Sequence, residues 1–269
     1  MLANSSSRLM KPLVCALCCA TAFLVPANLC IRHASSPHSA CRQPPLSWKR
    51  RLVLIISSAT LAGGVASAWF ATDIDCTKNS PGRPCNPVGG VATLNWFTAW
   101  MAILSASFYL ARAAYPAGAG AHCLRLLWEI VAGATPVVSL GGWALYGYAT
   151  QVDLAEDAQR TGVRFFLSPF CLVCHSLNAV AMGIELASPD ALPLRPLRLG
   201  GASVGSLVIS AYLAFEWFIY EPKFHTAHYF MVDLERPRLC LFCVHAIVAG
   251  SLAWYHWAQG RQAAASRAD

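Results

Sequence analysis

The stretch VRFFLSPFCLVCHSLNAVAMGIEL, from Val163 to Leu186, has the length of a membrane-crossing helix and carries a histidine, His175, near its middle. An α-helix needs about 20 predominantly apolar residues to cross ~30 Å of hydrocarbon. Comparable stretches run over Leu52–Thr72, Val91–Tyr115, Leu124–Thr150, Ser203–Tyr220 and Leu239–Trp257. Lipid offers the backbone no hydrogen-bond partners, so segments of this kind must be helical. The expected fold is all-α: a polytopic membrane protein whose six-transmembrane-helix bundle spans residues 52–259. An N-terminal extension covers 1–51 and a short cytosolic tail covers 260–269.

Composition agrees. The chain is 56% hydrophobic and 12% charged, with a mean hydropathy of +0.47, against about 25% charged residues in ordinary soluble domains. At 269 residues the six stretches leave only short connections and no soluble catalytic domain. The net charge of +7 is uneven: no Asp or Glu precedes Asp73, whereas Arg8, Lys11, Arg32, Arg42, Lys49, Arg50 and Arg51 do. Such a basic flank suits anionic head groups and sets topology. No motif for nucleic acid accompanies it, and none is expected as a partner.

Residues 1–51 form a separate unit. A basic start (Arg8, Lys11) leads into apolar Pro12–Val25 and the small-residue site Val25-Pro26-Ala27, the pattern of a signal peptide. The acid-free stretch that follows equally fits an organelle transit peptide, and an uncleaved extra helix is the third possibility. Trp48-Lys49-Arg50-Arg51 abuts the first apolar stretch and places its start in the cytosol. Most loop acids (Asp73, Asp75, Asp153, Glu156, Asp157, Glu221, Asp233, Glu235) then fall on the far side. Prolines punctuate both sets of turns: Pro116, Pro189, Pro193 and Pro196 on one side, Pro81, Pro84, Pro87, Pro222 and Pro237 on the other. The expected location is an integral, multi-pass position in an endomembrane, the plasma membrane or an organelle membrane.

Most of the twelve cysteines lie in apolar runs (Cys15, Cys18, Cys19, Cys171, Cys174, Cys240, Cys243), where cysteine behaves as a small hydrophobe. Cys76 and Cys85 instead flank a polar loop that a disulfide could close in an oxidising lumen. Cys171-Leu172-Val173-Cys174-His175 matches the C-x-x-C-H haem-attachment pattern. Cys240-Leu241-Phe242-Cys243-Val244-His245 echoes it, so four thiols and two imidazoles converging on a metal is an alternative to packing.

A titratable residue inside an apolar span is costly and calls for a function. The second stretch contains Asn95-Trp96-Phe97-Thr98-Ala99-Trp100, and the fourth contains His175-Ser176-Leu177-Asn178. Counted from the stretch starts at 1.5 Å per residue, Thr98 lies about 10 Å deep and His175 about 17 Å, depths that match within a few residues of boundary error. A threonine hydroxyl is a poor nucleophile unless a base takes its proton. An apolar setting favours the neutral imidazole that a base requires. The competing account of Thr98 is a hydroxyl bonded to its own helix. Further polar groups have plainer explanations. Arg125 and Glu129 have the i,i+4 spacing of a helix ion pair. Glu185 and Glu216 lie near stretch ends and are expected to reach the interface. Trp96, Trp100, Trp143, Trp217, Trp254 and Trp257 fit interfacial belts, and Gly141-Gly142 allows close helix packing. His225, His228 and Tyr229 lie in a far-side loop, either solvated or near a substrate head group.

Phe97-Thr98-Ala99-Trp100 with Ile103-Leu104 and Phe108-Tyr109 resembles the second-helix signature of the androgen-induced gene one (FAR-type) family. Thr135-Pro136-Val137-Val138 followed by Trp143-Ala144-Leu145-Tyr146 resembles its third helix, and His175 followed by Ile184-Glu185 its fourth. The resemblance extends in order and spacing over residues 50–260. It implies a six-helix intramembrane threonine hydrolase that cleaves fatty acid esters of hydroxy fatty acids, with Thr98 as nucleophile and His175 as base. Thr93, in Thr93-Leu94-Asn95-Trp96, is a competing alignment for the nucleophile. Asn178, one turn beyond His175, and Trp100 are expected to contact substrate or orient the site. No cofactor and no metal are needed, and the partners are the membrane and a lipid substrate. The alternatives are a non-catalytic multi-pass protein that binds lipid and a haem- or metal-binding membrane redox protein.

Overall fold

The computed structural model describes residues 16–18, 20–34, 45–71, 74–75, 86–87, 89–115, 121–151, 164, 166–224, 229–234 and 236–265. The described elements are helical apart from one short strand pairing. Helix α1 (Val25–Ala34) continues from a π-helical stretch, Ala20–Leu24. Helix α2 (Trp48–Trp69) starts at Ser47, whose side chain accepts the Arg50 amide at 3.2 Å and so satisfies one orphan N–H of the first turn. Strands β1 (Ile74–Asp75) and β2 (Asn86–Pro87) pair antiparallel. A 3₁₀ turn over Gly90–Asn95 leads into α3 (Phe97–Ala114), and α4 (Ala121–Gln151) follows with Pro136 in its interior. Helix α5 (Pro169–Ala187), α6 (Ser203–Phe224) and α7 (Pro237–Ala265) complete the order. The proposed Cys76–Cys85 disulfide, His225 and His228 lie outside the described residues.

Five helices are long and apolar enough to cross a membrane: Trp48–Trp69, His122–Gly147, Pro169–Ala187, Ser203–Phe224 and Pro237–Ala264. They make the chain a multi-pass helical membrane protein. Six were expected. Helix α3 is the difference: it has only 18 residues, and its last turn contains Arg112, which lowers its apolar character. The first five residues assigned to that span, Val91–Asn95, lie in the separate 3₁₀ turn instead.

The helices bury apolar faces against one another in two clusters. One gathers Trp96, Ala99, Met101 and Ala102 of the α3 region with Val138 of α4, Cys174 of α5 and Ile209, Tyr212 and Leu213 of α6. The other holds Leu54, Phe108, Trp128, Leu192 and Tyr255 nearer the opposite end. Ser58 of α2 donates to the Ala106 carbonyl of α3 at 2.8 Å, and Ser251 of α7 to the Gly133 carbonyl of α4 at 2.6 Å. Small polar residues thus bridge helices where backbones approach closely. The N-terminal segment also joins the first cluster through Cys18 and Ala22. Ser210 donates to the Ala22 carbonyl, Thr21 Oγ1 and His245 Nε2 are 2.9 Å apart, and Cys18 Sγ lies 3.9 Å from Cys240 Sγ.

Several polar residues assigned to the membrane interface are instead inside. Glu185 is 1% exposed and ion-pairs with Arg50, and Glu216 is fully buried in α6. Trp96 and Trp217 are buried too, the latter donating to the Val232 carbonyl at 2.9 Å. Trp143 and Trp257 do face outward. For Glu185 the physical reason is the loop between α5 and α6. It folds back over the bundle end, where Trp128 Nε1 donates to the Leu192 carbonyl at 2.7 Å and Arg112 to the Asp190 carbonyl at 2.8 Å. That cover removes the water a snorkelling carboxylate would reach.

Candidate active site

Thr98 is the second residue of α3, and its side chain is 3% exposed. His175 comes from a π-helical stretch of α5, Leu172–Leu177. Such widened turns displace a side chain from ordinary helical register and recur at functional sites. The two meet with Thr98 Oγ1 3.4 Å from His175 Nε2. The other ring nitrogen, Nδ1, donates to the Val138 carbonyl of α4 at 2.7 Å. A carbonyl oxygen can only accept, so in the neutral ring Nδ1 carries the proton. Nε2 then turns its lone pair towards the threonine hydroxyl. Base and hydroxyl are thus in the correct tautomeric relation before any ligand arrives. The separation is long for a hydrogen bond, as apo catalytic contacts often are before substrate closes them.

Gly142 makes room for this ring. A Cβ there would collide with three atoms of the His175 imidazole, so the glycine serves the histidine rather than helix–helix packing. Gly142→Ala should therefore push the ring off Thr98 and lower turnover by roughly 10²-fold, the scale of a 1 Å misplacement at a reacting centre. Gly147→Ala, on the same helix off the cavity wall, where a Cβ meets nothing within 4 Å, should leave turnover unchanged. Equal rates for both variants, measured on purified protein, would refute the seating role.

The pair opens into a cavity of about 340 Å³ between α3, α4, α6 and α7. Its walls are almost wholly apolar, with Val137, Val138, Leu145, Ile209, Leu213 and Ile247 prominent. Tyr229, Met231 and Val232 also line it. Above Thr98 the aromatic rings interlock: Trp96 packs edge-on against Phe170 and Tyr229, and Tyr212 against Tyr229 at 6.0 Å. Tyr212 Oη also donates to the Asn95 carbonyl at 2.8 Å, fixing the turn that precedes α3.

The remaining expected site residues are placed differently. Asn178 is fully buried, but its amide makes no hydrogen bond among the described residues and it is not on the cavity wall. Val138 orients His175 instead. Trp100 donates to the Leu94 carbonyl at 2.6 Å and packs on Tyr212 and Phe215. It supports the wall from behind rather than lining it. Thr93 is buried in the preceding 3₁₀ turn, off the cavity wall; Thr98 is the threonine that faces His175. Gly142 and the Val138 carbonyl went unrecognised as site elements, and a backbone oxygen leaves no trace in residue type.

The paired C-x-x-C segments do not converge as a ligand set: among the described residues no three His, Cys, Asp or Glu side chains could share a metal ion. Cys174 and Cys240 are fully buried and pack as small hydrophobes. Changing Cys171 and Cys174 together to alanine should leave the metal content of the purified protein unchanged. Stoichiometric zinc or haem in the purified protein, lost with that double change, would instead identify a ligand role.

No protein-family model, no curated protein and no solved structure matches this chain.

Proposed function

We propose that the protein is an intramembrane hydrolase of lipid esters, with Thr98 as nucleophile and His175 as general base. The single observation that carries this is the buried Thr98–His175 contact, with Nδ1 of the same ring committed to a carbonyl, at the wall of an apolar cavity. A threonine hydroxyl and an imidazole so arranged form the nucleophile–base–orienter series of acyl-transfer sites. The apolar walls suit a fatty chain, and the family resemblance supports a fatty acid ester of a hydroxy fatty acid as substrate. We also take α3 as a sixth crossing, since 18 residues span about 27 Å at 1.5 Å each.

The chemistry needs no cofactor. Nε2 of His175 takes the Thr98 hydroxyl proton as Oγ1 attacks the ester carbonyl carbon. Negative charge collects on the carbonyl oxygen beside the first turn of α3, where the helix dipole favours it. The tetrahedral species collapses, His175 returns the proton to the departing alcohol oxygen, and the acyl group remains on Thr98. Water then attacks that acyl ester, again giving a proton to His175, and releases the fatty acid with the threonine restored.

The test is a covalent one. Purified protein incubated with a fluorophosphonate probe should carry the adduct on the peptide containing Thr98, and preincubation with a fatty acid ester of a hydroxy fatty acid should protect it. An adduct located elsewhere, or no release of fatty acid from that ester, would overturn the proposal.

A further inference from the structure

The cavity beside Thr98 is not sealed on the side that faces out of the bundle. Helices α4 and α7 touch at one level, where Ser251 donates to the Gly133 carbonyl at 2.6 Å. A Cβ on Gly133 would lie 3.8 Å from the Tyr255 ring. Further along, the same two helices line the cavity with Leu140, Gly141 and Ala144 on α4 and with Ala246 and Gly250 on α7. Here they no longer fill the space between them. A Cβ added to Gly141 or to Gly250 would meet nothing within 4 Å. Leu140 is 71% exposed, and Ala144, Ala246 and Gly250 are exposed as well. These residues therefore belong at once to the cavity wall and to the outer surface. Both helices are long and apolar enough to cross a membrane, so that outer surface is bathed in hydrocarbon, not water.

We infer that the space between α4 and α7 is a lateral window through which the acyl chain of a bilayer lipid enters the cavity and reaches the Thr98–His175 pair. The chemistry of the window's border selects its occupant. The window is bordered by aliphatic and glycine surface, and a chain passing it stays in apolar surroundings throughout. No hydration cost opposes its entry, whereas a polar solute would have to be stripped of water. At the far end of the path stand buried Leu145, Tyr212 and Leu213, each 5% exposed or less. The inference deepens the proposed function and rests on the same cavity, but lipid entry can be read without turnover.

The full chain in phosphatidylcholine nanodiscs, illuminated with a palmitoyl ester that carries a mid-chain diazirine, should give adducts on the peptides holding Leu145, Tyr212 or Leu213. Gly250→Trp places an indole in the window and should reduce those internal adducts at least tenfold, together with hydrolysis of the same ester. Ala249→Trp, on the exposed neighbouring position off the cavity wall, should change neither. Ala246→Phe gives a second block should Gly250→Trp fail to fold, folding being judged by size-exclusion profile and melting temperature. Adducts confined to outward-facing residues, or internal adducts undiminished in folded Gly250→Trp and Ala246→Phe, would overturn the window. Failure of the hydrolase reading is distinguishable: Thr98→Ala protein should keep the internal adducts, and an inert wild type that shows them would leave the window standing as a lipid-binding path.

Discussion

Thr98→Ala protein should release no fatty acid from a fatty ester above background, while inserting in membranes and melting close to wild type. The substitution removes the hydroxyl that faces His175, and loss of the nucleophile in an acyl-transfer triad costs on the order of 10⁶ in turnover. Stability should barely move, because a neutral hydrogen bond contributes only about 0.5–1.5 kcal/mol and this one is long. Thr98→Ser keeps a hydroxyl and should retain part of the rate. His175→Ala should fall nearly as far, because an unassisted hydroxyl stays protonated near neutral pH. The double variant should be no worse than Thr98→Ala alone, since groups that act as a unit are not additive. Thr93→Ala provides the discriminating control. Full turnover in Thr98→Ala with loss in Thr93→Ala would move the nucleophile, and full turnover in both would end the threonine mechanism.

The fold was largely legible because lipid leaves the backbone few choices. The apolar stretches from Leu52 onward fold as helices, and the expected i,i+4 pair of Arg125 and Glu129 forms at 3.7 Å. Boundaries were less legible. Helix α3 begins at Phe97 and α5 at Pro169, both later than the apolar runs that contain them. Pro169 sits in the first turn behind Ser168, whose hydroxyl accepts the Cys171 amide at 3.3 Å. That Ser-Pro signal was available in the sequence. Depth counted from the start of each apolar run, about 10 Å against about 17 Å, brought the two to one level only by allowing a few residues of boundary error. The contact forms because the two helices start at different levels, which no one-dimensional count contains. Residue type pointed to the reacting pair, whereas its support came from a carbonyl and from the missing Cβ of Gly142. Glu185 was misplaced for a related reason: nearness to a helix end predicts solvent only if no loop folds over that end, and Glu216 because α6 runs on to Phe224.

The same covering loop makes the opposite end of the bundle the site of the largest expected stability loss. Glu129 is fully buried, with Arg125 Nε and Arg195 Nε each 3.7 Å from Oε1. Arg125 belongs to α4, whereas Arg195 belongs to the loop, which is pinned further by Tyr255 Oη donating to the Arg195 carbonyl at 3.1 Å. Gln262 adds a pair of bonds, accepting the Leu194 amide at 2.9 Å and donating to the Leu192 carbonyl at 3.1 Å. Glu129→Ala would leave two guanidinium groups buried without their counter-charge, which costs about 3–5 kcal/mol when one partner of a buried ion pair is removed. That is a large share of a typical total of ~5–15 kcal/mol. Replacing Glu129, Arg125 and Arg195 together by leucine removes the orphaned charges as well and should restore most of the loss, because buried ion clusters are often matched by apolar residues of similar volume. Melting in nanodiscs should therefore rank wild type and the triple variant well above Glu129→Ala, with exposed Lys223→Ala at the wild-type value as control. A Glu129→Ala protein as stable as Lys223→Ala would mean that the carboxylate neutralises nothing and that the loop is held by its backbone bonds alone.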